Sequence, residues 1–528
     1  MEVEHIKPER RPRGRIAMLT AFAGVLIIAS IMAYANYRLH YNGLLINDSH
    51  DYAQLAKNVF QGNGYATSVL RPIAYRFFQN LPQPEVTRMP GYPYLLSLLF
   101  RVTGAQDGSV AFFNGFWCVV LAGCVFLLAW ELTRDPAVSF AASLLTASMQ
   151  GFLSHSLQAE PNILYAALFT LFFWFYLKRR EDYFLHGLCL GILQLVRANT
   201  QFVFLAFLLV TLLVASGGIK GKLLSVAKLV VGVMAGFSPQ MVRNYLVTGT
   251  PFFSLYSYSL LMFTKTFPAY NIWTQLVDVN PFSYIMGNPG EIAAKSVRWL
   301  FLLIKESIEF YHPVVLLLIG LPLTLGTANP RVRHLRNMTI LSMAIQLLLV
   351  LPFGAVPYYF LFFMPLLIVC SVSTIAEHAG KYRLPVFAGQ LIIFLVVSVP
   401  FWKSSKPMNP FPAIGAEVAA ITNADDVILT DIPWELAWYA DRKSIWLPYD
   451  LATLEKIEGS IKVSYLVLTN AITRPYTPYK DFIWTQFFQE PDQAKIHGYE
   501  QIKVIGMKNS PMVRIYRKQK DMGTPIDE

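Results

Sequence analysis

Two carboxylates open a helical stretch that follows the first hydrophobic segment of the chain. Asp48 and Asp51 come first, and apolar residues then recur on one helix face, at Tyr52, Leu55, Ala56, Val59 and Phe60. The spacing predicts an amphipathic helix over 48–61 that Gly62 ends and that lies against a membrane surface. A carboxylate within hydrogen-bonding reach of a hydroxyl can act as a general base. Asp48 also suits the N-cap of this helix, with Asp51 completing a capping box.

Three arginines could bind an anion. Arg88 precedes the turn Met89-Pro90-Gly91-Tyr92-Pro93, and Arg197 and Arg243 stand at the predicted outer ends of hydrophobic spans, where cations are disfavoured. A guanidinium offers two parallel hydrogen bonds to a phosphate and needs no metal ion to do so. The alternatives are contact with lipid headgroups for all three, and helix C-terminal capping for Arg197 and Arg243.

Glu160 is the third candidate acid. It lies in Leu157-Gln158-Ala159-Glu160-Pro161, at the end of an apolar segment and on the same predicted side as Asp48. An ionisable residue close to apolar membrane segments is costly, which favours a functional role. The alternative is a favourable interaction with the dipole of the helix that begins at Pro161.

The composition is that of a polytopic membrane protein. Of 528 residues, 54% are hydrophobic and 15% charged, and the net charge of +11 comes from cations at the ends of apolar runs. Contact with anionic lipids explains those cations better than nucleic-acid binding. The four cysteines fall inside apolar spans without paired spacing, so neither a disulfide framework nor a zinc site is expected.

Hydropathy divides the chain into two parts. Residues 1–402 carry eleven predicted spans, and the cations between them place the N-terminus in the cytoplasm and the C-terminus outside. The first external loop covers 38–107, and a second, 249–310, is predicted to contain a helix near 291–309. The spans are 16–37, 109–132, 136–152, 160–177, 183–196, 199–216, 223–243, 311–327, 338–354, 357–376 and 385–402.

Residues 403–528 have a soluble composition. Strands are predicted at 425–431, 444–447, 463–468, 502–507 and 512–516, with a helix over 433–439. This pattern indicates a small extracytoplasmic α/β domain.

Several of these strings resemble one family. Asp48, Asp51 and Tyr52, followed by Gly-x-Gly-Tyr at 62–65, Arg-x-Pro-Gly-Tyr-Pro at 88–93 and Arg-Asn-Tyr-x-x-x-Gly-x-Pro at 243–251, resemble the GT-C glycosyltransferases. Within that superfamily the chain is similar to bacterial members related to protein O-mannosyltransferases and to the lipid A aminoarabinose transferase. The resemblance implies a GT-C fold, that is, an α-helical polytopic membrane protein of about eleven transmembrane helices.

The resemblance also implies roles for individual residues. Asp48 matches the general base, Glu160 matches an acid that helps to position the sugar or the base, and Arg88, Arg197 and Arg243 match contacts to the lipid phosphate. Relatives often have Asp-Glu where this chain has Asp48-Ser49, so the second acid is either Asp51 or absent. Relatives also carry Arg-Tyr where this chain has Tyr358-Tyr359, so no phosphate contact is transferred there. The candidates for contact with the sugar or acceptor are Tyr52, His50 and Tyr92, although His50 also suits a local hydrogen bond.

The implied function is transfer of a sugar from a polyprenyl-phosphate donor to a glycan, lipid or protein acceptor. It would take place with inversion at the outer face of the plasma (inner) membrane, without cofactor or metal. A transporter or flippase, or a polymerase of lipid-linked glycans, would use a similar substrate. The ionisable residues at the outer rim and the lack of internal repeats favour the transferase over the transporter. The identity of the sugar, the acceptor and the oligomeric state are left open.

Overall fold

The structure, a computed structural model, describes residues 12–403, 406–473, 479–506 and 512–519. Its first part is helical, because the apolar runs satisfy their backbone hydrogen bonds within each helix. The helices are α1 Pro12–His40, α2 Asn47–Phe60, α3 Gly91–Thr103, α4 Asp107–Thr133, α5 Pro136–Ala147, α6 Gln150–His155, α7 Asn162–Lys178, α8 Tyr183–Val196, α9 Thr200–Val214, α10 Gly218–Thr248, α11 Pro281–Gly287, α12 Pro289–Tyr311, α13 Pro313–Thr324, α14 Pro330–Val350, α15 Met364–Ala379 and α16 Arg383–Trp402.

Each of the eleven predicted spans overlaps a helix, and α12 confirms the helix predicted near 291–309. By length and composition, five helical stretches of the described chain could cross a membrane, or six if α12 and α13, bent by 104°, form one span. Helices α5, α7, α8 and α9 are apolar but shorter. The count of eleven crossings therefore stays a prediction.

Helices α8 and α10 approach each other closely through glycine. Gly187 and Gly191 of α8 face Gly232 and Gly236 of α10, and a Cβ at any of them would collide with backbone atoms of the other helix. Small residues allow this backbone contact between apolar helices. Because α8 ends at Val196 and α10 carries Arg243, the contact fixes Arg197 and Arg243 relative to each other.

A six-stranded sheet follows the helical part. Its order is β2-β5-β4-β6-β8-β7; the first four strands are parallel, β8 is antiparallel to β6, and β7 is antiparallel to β8. The strands overlap every predicted strand of the C-terminal part, and the predicted helix over 433–439 is a short α-helix that continues as a π-helical turn. The elements are α17 Phe411–Ile421, β4 Val427–Thr430, α18 Pro433–Glu435 with the π turn Leu436–Ala440, β5 Lys443–Trp446, α19 Leu451–Glu458, β6 Val463–Thr469, α20 Ile483–Gln489, α21 Pro491–Ile496, β7 Tyr499–Ile505 and β8 Val513–Lys518.

The loop after α2 contributes to this sheet. It contains the short strands β1 Ala66–Thr67, β2 Val69–Leu70 and β3 Gln83–Pro84, and β2 pairs with β5, with Leu70 opposite Ile445. Leu70, Ile73 and Val86 share a hydrophobic core with residues of β4, β5 and β6. The sheet and the loop 38–107 therefore fold together.

Helix α2 is enclosed rather than spread on a surface. Its apolar face packs on α3, and its other face is buried too, including Ser49, His50, Asp51 and Gln54. The sequence predicted that α2 lies against a membrane surface; in the structure, residues after β4 cover its polar face. Amphipathic spacing identifies the helix but not what covers its polar side.

Candidate active site

Asp48 lies in the first turn of α2 and forms an ion pair with Arg88. The N-cap is Ile46, in an extended conformation and without a side-chain cap. The alternative of an Asp48 cap with an Asp51 capping box is therefore wrong: the helix begins one residue earlier than the pattern indicates, and both carboxylates face arginines. The Asp48 side chain is 45% exposed.

Asp51, one turn later, is completely buried between two arginines. Its Oδ2 accepts hydrogen bonds from Arg71 Nη2 at 2.6 Å and from Arg88 Nε at 2.8 Å. Arg71 directly follows β2, so the edge of the sheet sets its position, and its Nη1 also reaches Glu85 Oε2 at 3.5 Å. A buried charge needs such partners, and Asp51 has two.

Arg88 is held from several directions. Its backbone N–H donates to Glu85 Oε1 at 2.9 Å, its guanidinium binds both aspartates, and it lies 5.1 Å from the centre of the Tyr52 ring. Tyr52, predicted to contact the sugar or the acceptor, is thereby placed beside the arginine. Because two carboxylates already occupy the guanidinium, a phosphate would compete with Asp48 for Arg88.

Glu160 anchors a second cluster. Its carboxylate pairs with His155 Nδ1 and accepts a hydrogen bond from Asn162 Nδ2 at 2.8 Å, and Arg197 donates to the Asn162 side-chain oxygen. Helix α7 begins at Asn162. Both Arg88 and Arg197 act electrostatically on Glu160. The two clusters therefore share one site, and His155 is a member that sequence reasoning missed.

Arg243 lies beside the first cluster. Its Nη2 donates to the carbonyl oxygen of Tyr65 at 2.8 Å and its guanidinium lies 4.9 Å from the Tyr65 ring. The Tyr65 hydroxyl in turn donates to the carbonyl oxygen of Arg88 at 3.0 Å. Arg197 and Arg243 pair with no carboxylate among the described residues, unlike Arg88.

Four tyrosines that the sequence did not single out surround this site. The carboxylate of Asp48 acts electrostatically on all of them, and the hydroxyls of Tyr256 and Tyr359 lie 3.0 Å apart. The Arg197 guanidinium lies 5.6 Å from the centre of the Tyr359 ring. The only sequence signal was that Tyr358-Tyr359 replaces the Arg-Tyr of relatives. The four are Tyr256, Tyr270, Tyr358 and Tyr359.

Two of the proposed sugar contacts are buried away from any opening. Tyr92 has no exposed surface; its hydroxyl accepts a hydrogen bond from Asn114 at 3.0 Å, and its ring packs on Phe113. His50 is equally buried and faces Glu435. These positions argue against direct contact of either residue with a sugar and favour the alternative of local contacts for His50.

Within the described ranges, no group of three or more His, Cys, Asp and Glu side chains is arranged to hold a metal ion. Metal independence stays a prediction.

Two sequence comparisons match parts of the chain. Residues 83–242 match the family model described as dolichyl-phosphate-mannose-protein mannosyltransferase. A protein of unknown function from Aquifex aeolicus is 25% identical over 175 residues, and the match spans one third (33%) of each chain.

Solved structures extend the likeness over nearly all of the chain. The oligosaccharyltransferase of Archaeoglobus fulgidus, in a complex with Zn and sulfate, superposes with a TM-score of 0.54 at 12% identity, covering 94% of this chain and 73% of the other. Its apo form gives 0.52. The chain has the GT-C fold. The resemblance predicted from the sequence is thereby confirmed. ArnT of Cupriavidus metallidurans, at 12% identity and a TM-score of 0.41, covers 94% of this chain and 97% of its own.

The candidate site residues are far apart in the sequence and close together in this fold. Asp48, Arg88, Glu160, Arg197 and Arg243 come from five separate stretches of sequence, and the fold brings them into one electrostatically connected site.

Proposed function

We propose that this protein transfers a sugar from a polyprenyl-phosphate carrier to a hydroxyl acceptor, with Asp48 as general base. The observation that carries the proposal is the contrast in exposure among the carboxylates of the site. Asp51, Glu85 and Glu160 are buried in fixed pairs, whereas Asp48 is 45% exposed and so accessible to an acceptor. The GT-C fold and the match to a mannosyltransferase family support this assignment.

The proposed reaction is a single displacement. Asp48 takes the acceptor O–H proton while that oxygen attacks the anomeric carbon from the face opposite the phosphate. The bond between the anomeric carbon and the phosphate oxygen breaks, its electrons stay on the phosphate, and the configuration inverts. Cofactor and metal are not part of this proposal.

The leaving phosphate needs positive charge near it. Arg197 and Arg243 have no carboxylate partner among the described residues, so they can bind the phosphate without breaking an ion pair. Charge-assisted bonds from preorganised guanidinium groups stabilise the charge that develops in the transition state. Arg88 takes a different part from the one first predicted: it orients Asp48 and reaches the phosphate once Asp48 has moved onto the acceptor.

The experiment is transfer from purified undecaprenyl-phosphate-sugar by the Asp48→Asn variant. Loss of the base should lower the rate by about 10²–10⁴-fold, while binding of the lipid phosphate persists. Asp425→Asn is the matched control, since the Asp425 side chain is 99% exposed and pairs only with Lys443 among described residues. A near-normal rate for Asp48→Asn would show that Asp48 is not the general base. Lipid translocation without transfer by the unmutated protein would favour a transporter.

The membrane orientation is part of the proposal. The cation pattern places the C-terminal part outside the plasma membrane, where a polyprenyl-phosphate sugar would be presented. A reporter that is active only outside the membrane, fused after the last residue, should be active. A signal confined to a cytoplasmic reporter would overturn this orientation.

A further inference from the structure

The residues that follow β4 cover α2. This docking segment, residues 433–441, comprises α18, the π turn and Asp441. Lys57 of α2 binds Asp441 at 2.8 Å. Trp438 Nε1 and the Tyr439 hydroxyl each donate to a carboxylate oxygen of Asp107, both at 2.7 Å. The C-terminal part is thereby attached directly to the helix that carries Asp48.

At the centre of this contact lies a buried acid beside a buried histidine. His50 and Glu435 are 0% and 1% exposed, and His50 Nδ1 lies 3.6 Å from Glu435 Oε1. The His50 ring packs edge-on against Phe411 and Tyr439, with centres 5.4 and 5.5 Å apart. Neither Glu435 oxygen has a hydrogen-bond donor at bonding distance among the described residues. A buried pair without hydrogen bonds is costly if either group is charged. The protonation state of the two groups therefore decides how stably the docking segment packs on α2.

We infer that Glu435, as a neutral carboxylic acid, is a positioning residue for Asp48 that acts through His50 to hold the first turn of α2. His50 is two residues from Asp48 on this helix. The inference rests on the proposed function, because it gives the docking segment a part in that reaction. It concerns the placement of Asp48, and Glu435 does not touch the substrate.

The electrostatics of the site agree with a neutral pair. Burial, with smaller contributions from Asp431 and Asp51, raises the pKa of Glu435 to about 8, against an opposite effect of a backbone hydrogen bond. Burial lowers the pKa of His50 to about 3, against a weaker opposite effect of the carbonyl groups of Leu44 and Ile46. Both groups are therefore neutral near pH 7. The other charged or titratable groups packed around the contact are Asp51, Lys57, Arg71, Asp107, Asp431, Tyr439 and Asp441.

Glu435 and His50 make attachment of the docking segment depend on pH in opposite directions. When the segment detaches, Glu435 returns to its ordinary pKa of 4.5, so attachment weakens as the pH rises from there to about 8. His50 returns to 6.5, so attachment weakens as the pH falls from there to about 3. Between 4.5 and 6.5 the two effects cancel. Above pH 6.5 the Glu435 effect should weaken attachment about tenfold per pH unit until about pH 8. Burial also raises the pKa of Asp431 to about 7, so the difference between the unmutated protein and a Glu435 variant that cannot ionise isolates the Glu435 effect.

The test compares the unmutated protein with Glu435→Gln and Glu435→Ala, as full chains in detergent. Two measurements are made at pH 6.5 and pH 8.5: hydrogen exchange of peptides covering residues 47–60, divided by the intrinsic exchange rate, and sugar transfer. In the unmutated protein, protection of α2 should fall about tenfold or more between the two pH values. Glu435→Gln keeps the shape and a neutral side chain, so its protection should fall at least about tenfold less than that of the unmutated protein. Glu435→Ala should lose protection at both pH values, and its transfer should be lower at both.

The outcomes separate this inference from the proposed function. Equal pH profiles for the unmutated protein and Glu435→Gln, or a Gln variant as poor as the Ala variant, would overturn the positioning role. Transfer that stays normal in Glu435→Ala would overturn it as well. If the exchange pattern appears as expected but no variant transfers sugar, the docking contact stands and the proposed reaction fails.

Discussion

Asp48 and Asp51 sit one turn apart on the same helix and share the same arginine, yet their surroundings differ. Asp51 is completely buried and bound by both Arg71 and Arg88, whereas the Asp48 side chain is 45% exposed and bound by Arg88 alone. Breaking the ion pairs of a buried carboxylate is strongly destabilising. A half-exposed carboxylate can leave its arginine at little cost in free energy, because water solvates both charges. Asp51 therefore fixes the framework, and Asp48 is free to bind a proton donor.

The difference arises from the chain that surrounds each residue. Asp51 points toward Arg71, at the end of β2, and so toward the sheet, whereas Asp48 faces the group of tyrosines that includes Tyr256 and Tyr358. Helix α2 thus faces the sheet through Asp51 and the candidate active site through Asp48. This separation of tasks can be tested by substitution.

Asp51→Asn should produce the largest loss of stability. It removes the carboxylate from two arginines, one of them 5% exposed, and should lower the free energy of unfolding by about 3–5 kcal/mol. Asp48→Asn should cost no more than about 1 kcal/mol, because that pair is partly solvated. Thermal unfolding in detergent measures both. Similar losses for the two variants would contradict the division of tasks.

Arg243→Ala should have an intermediate effect, on binding. If Arg243 binds the donor phosphate, its loss removes a charge-assisted hydrogen bond of about 1.5–3 kcal/mol, which is about a 10- to 150-fold rise in the dissociation constant of undecaprenyl phosphate. Folding should change little, since Arg243 is only partly buried and its hydrogen bond is to the Tyr65 carbonyl. Arg76→Ala is a suitable control, because Arg76 pairs at the surface with Asp278. Unchanged lipid binding would assign Arg243 to headgroup contact.

The helices and most strands were predictable, because hydropathy and apolar spacing are local properties of the sequence. Strand β2 was not, since two residues carry no periodicity and only pairing with β5 makes Val69–Leu70 a strand. Without β2, the position of Arg71 beside Asp51 cannot be foreseen. The sequence singled out the charged residues Asp48, Asp51, Arg88, Glu160, Arg197 and Arg243, but not their partners Arg71, Glu85 and His155.

Long-range pairing explains the remaining errors. His50 meets Glu435 from the far end of the chain, and no local pattern links the two. The expected cap at Asp48 failed for a different reason: Ile46 takes the extended conformation of an N-cap, so the helix starts at Asn47. Boundaries of this kind depend on one residue, and sequence patterns rarely locate them that closely.

The smallest effect is expected at Asp441, which lies at the end of the docking segment and binds Lys57 of the same helix α2. Its side chain is 57% exposed, so Asp441→Asn should lower the free energy of unfolding by no more than about 1 kcal/mol. Asn also tolerates the left-handed backbone of this position, where φ is 56°. Asp441→Ala loses the same charge but adds a backbone cost of about 1–2 kcal/mol. Thermal unfolding of the two variants separates charge from conformation. A loss well above 1 kcal/mol for Asp441→Asn would mean that this exposed ion pair holds α2 as strongly as a buried one, which would contradict the ranking of exposed against buried pairs that begins with Asp48 and Asp51.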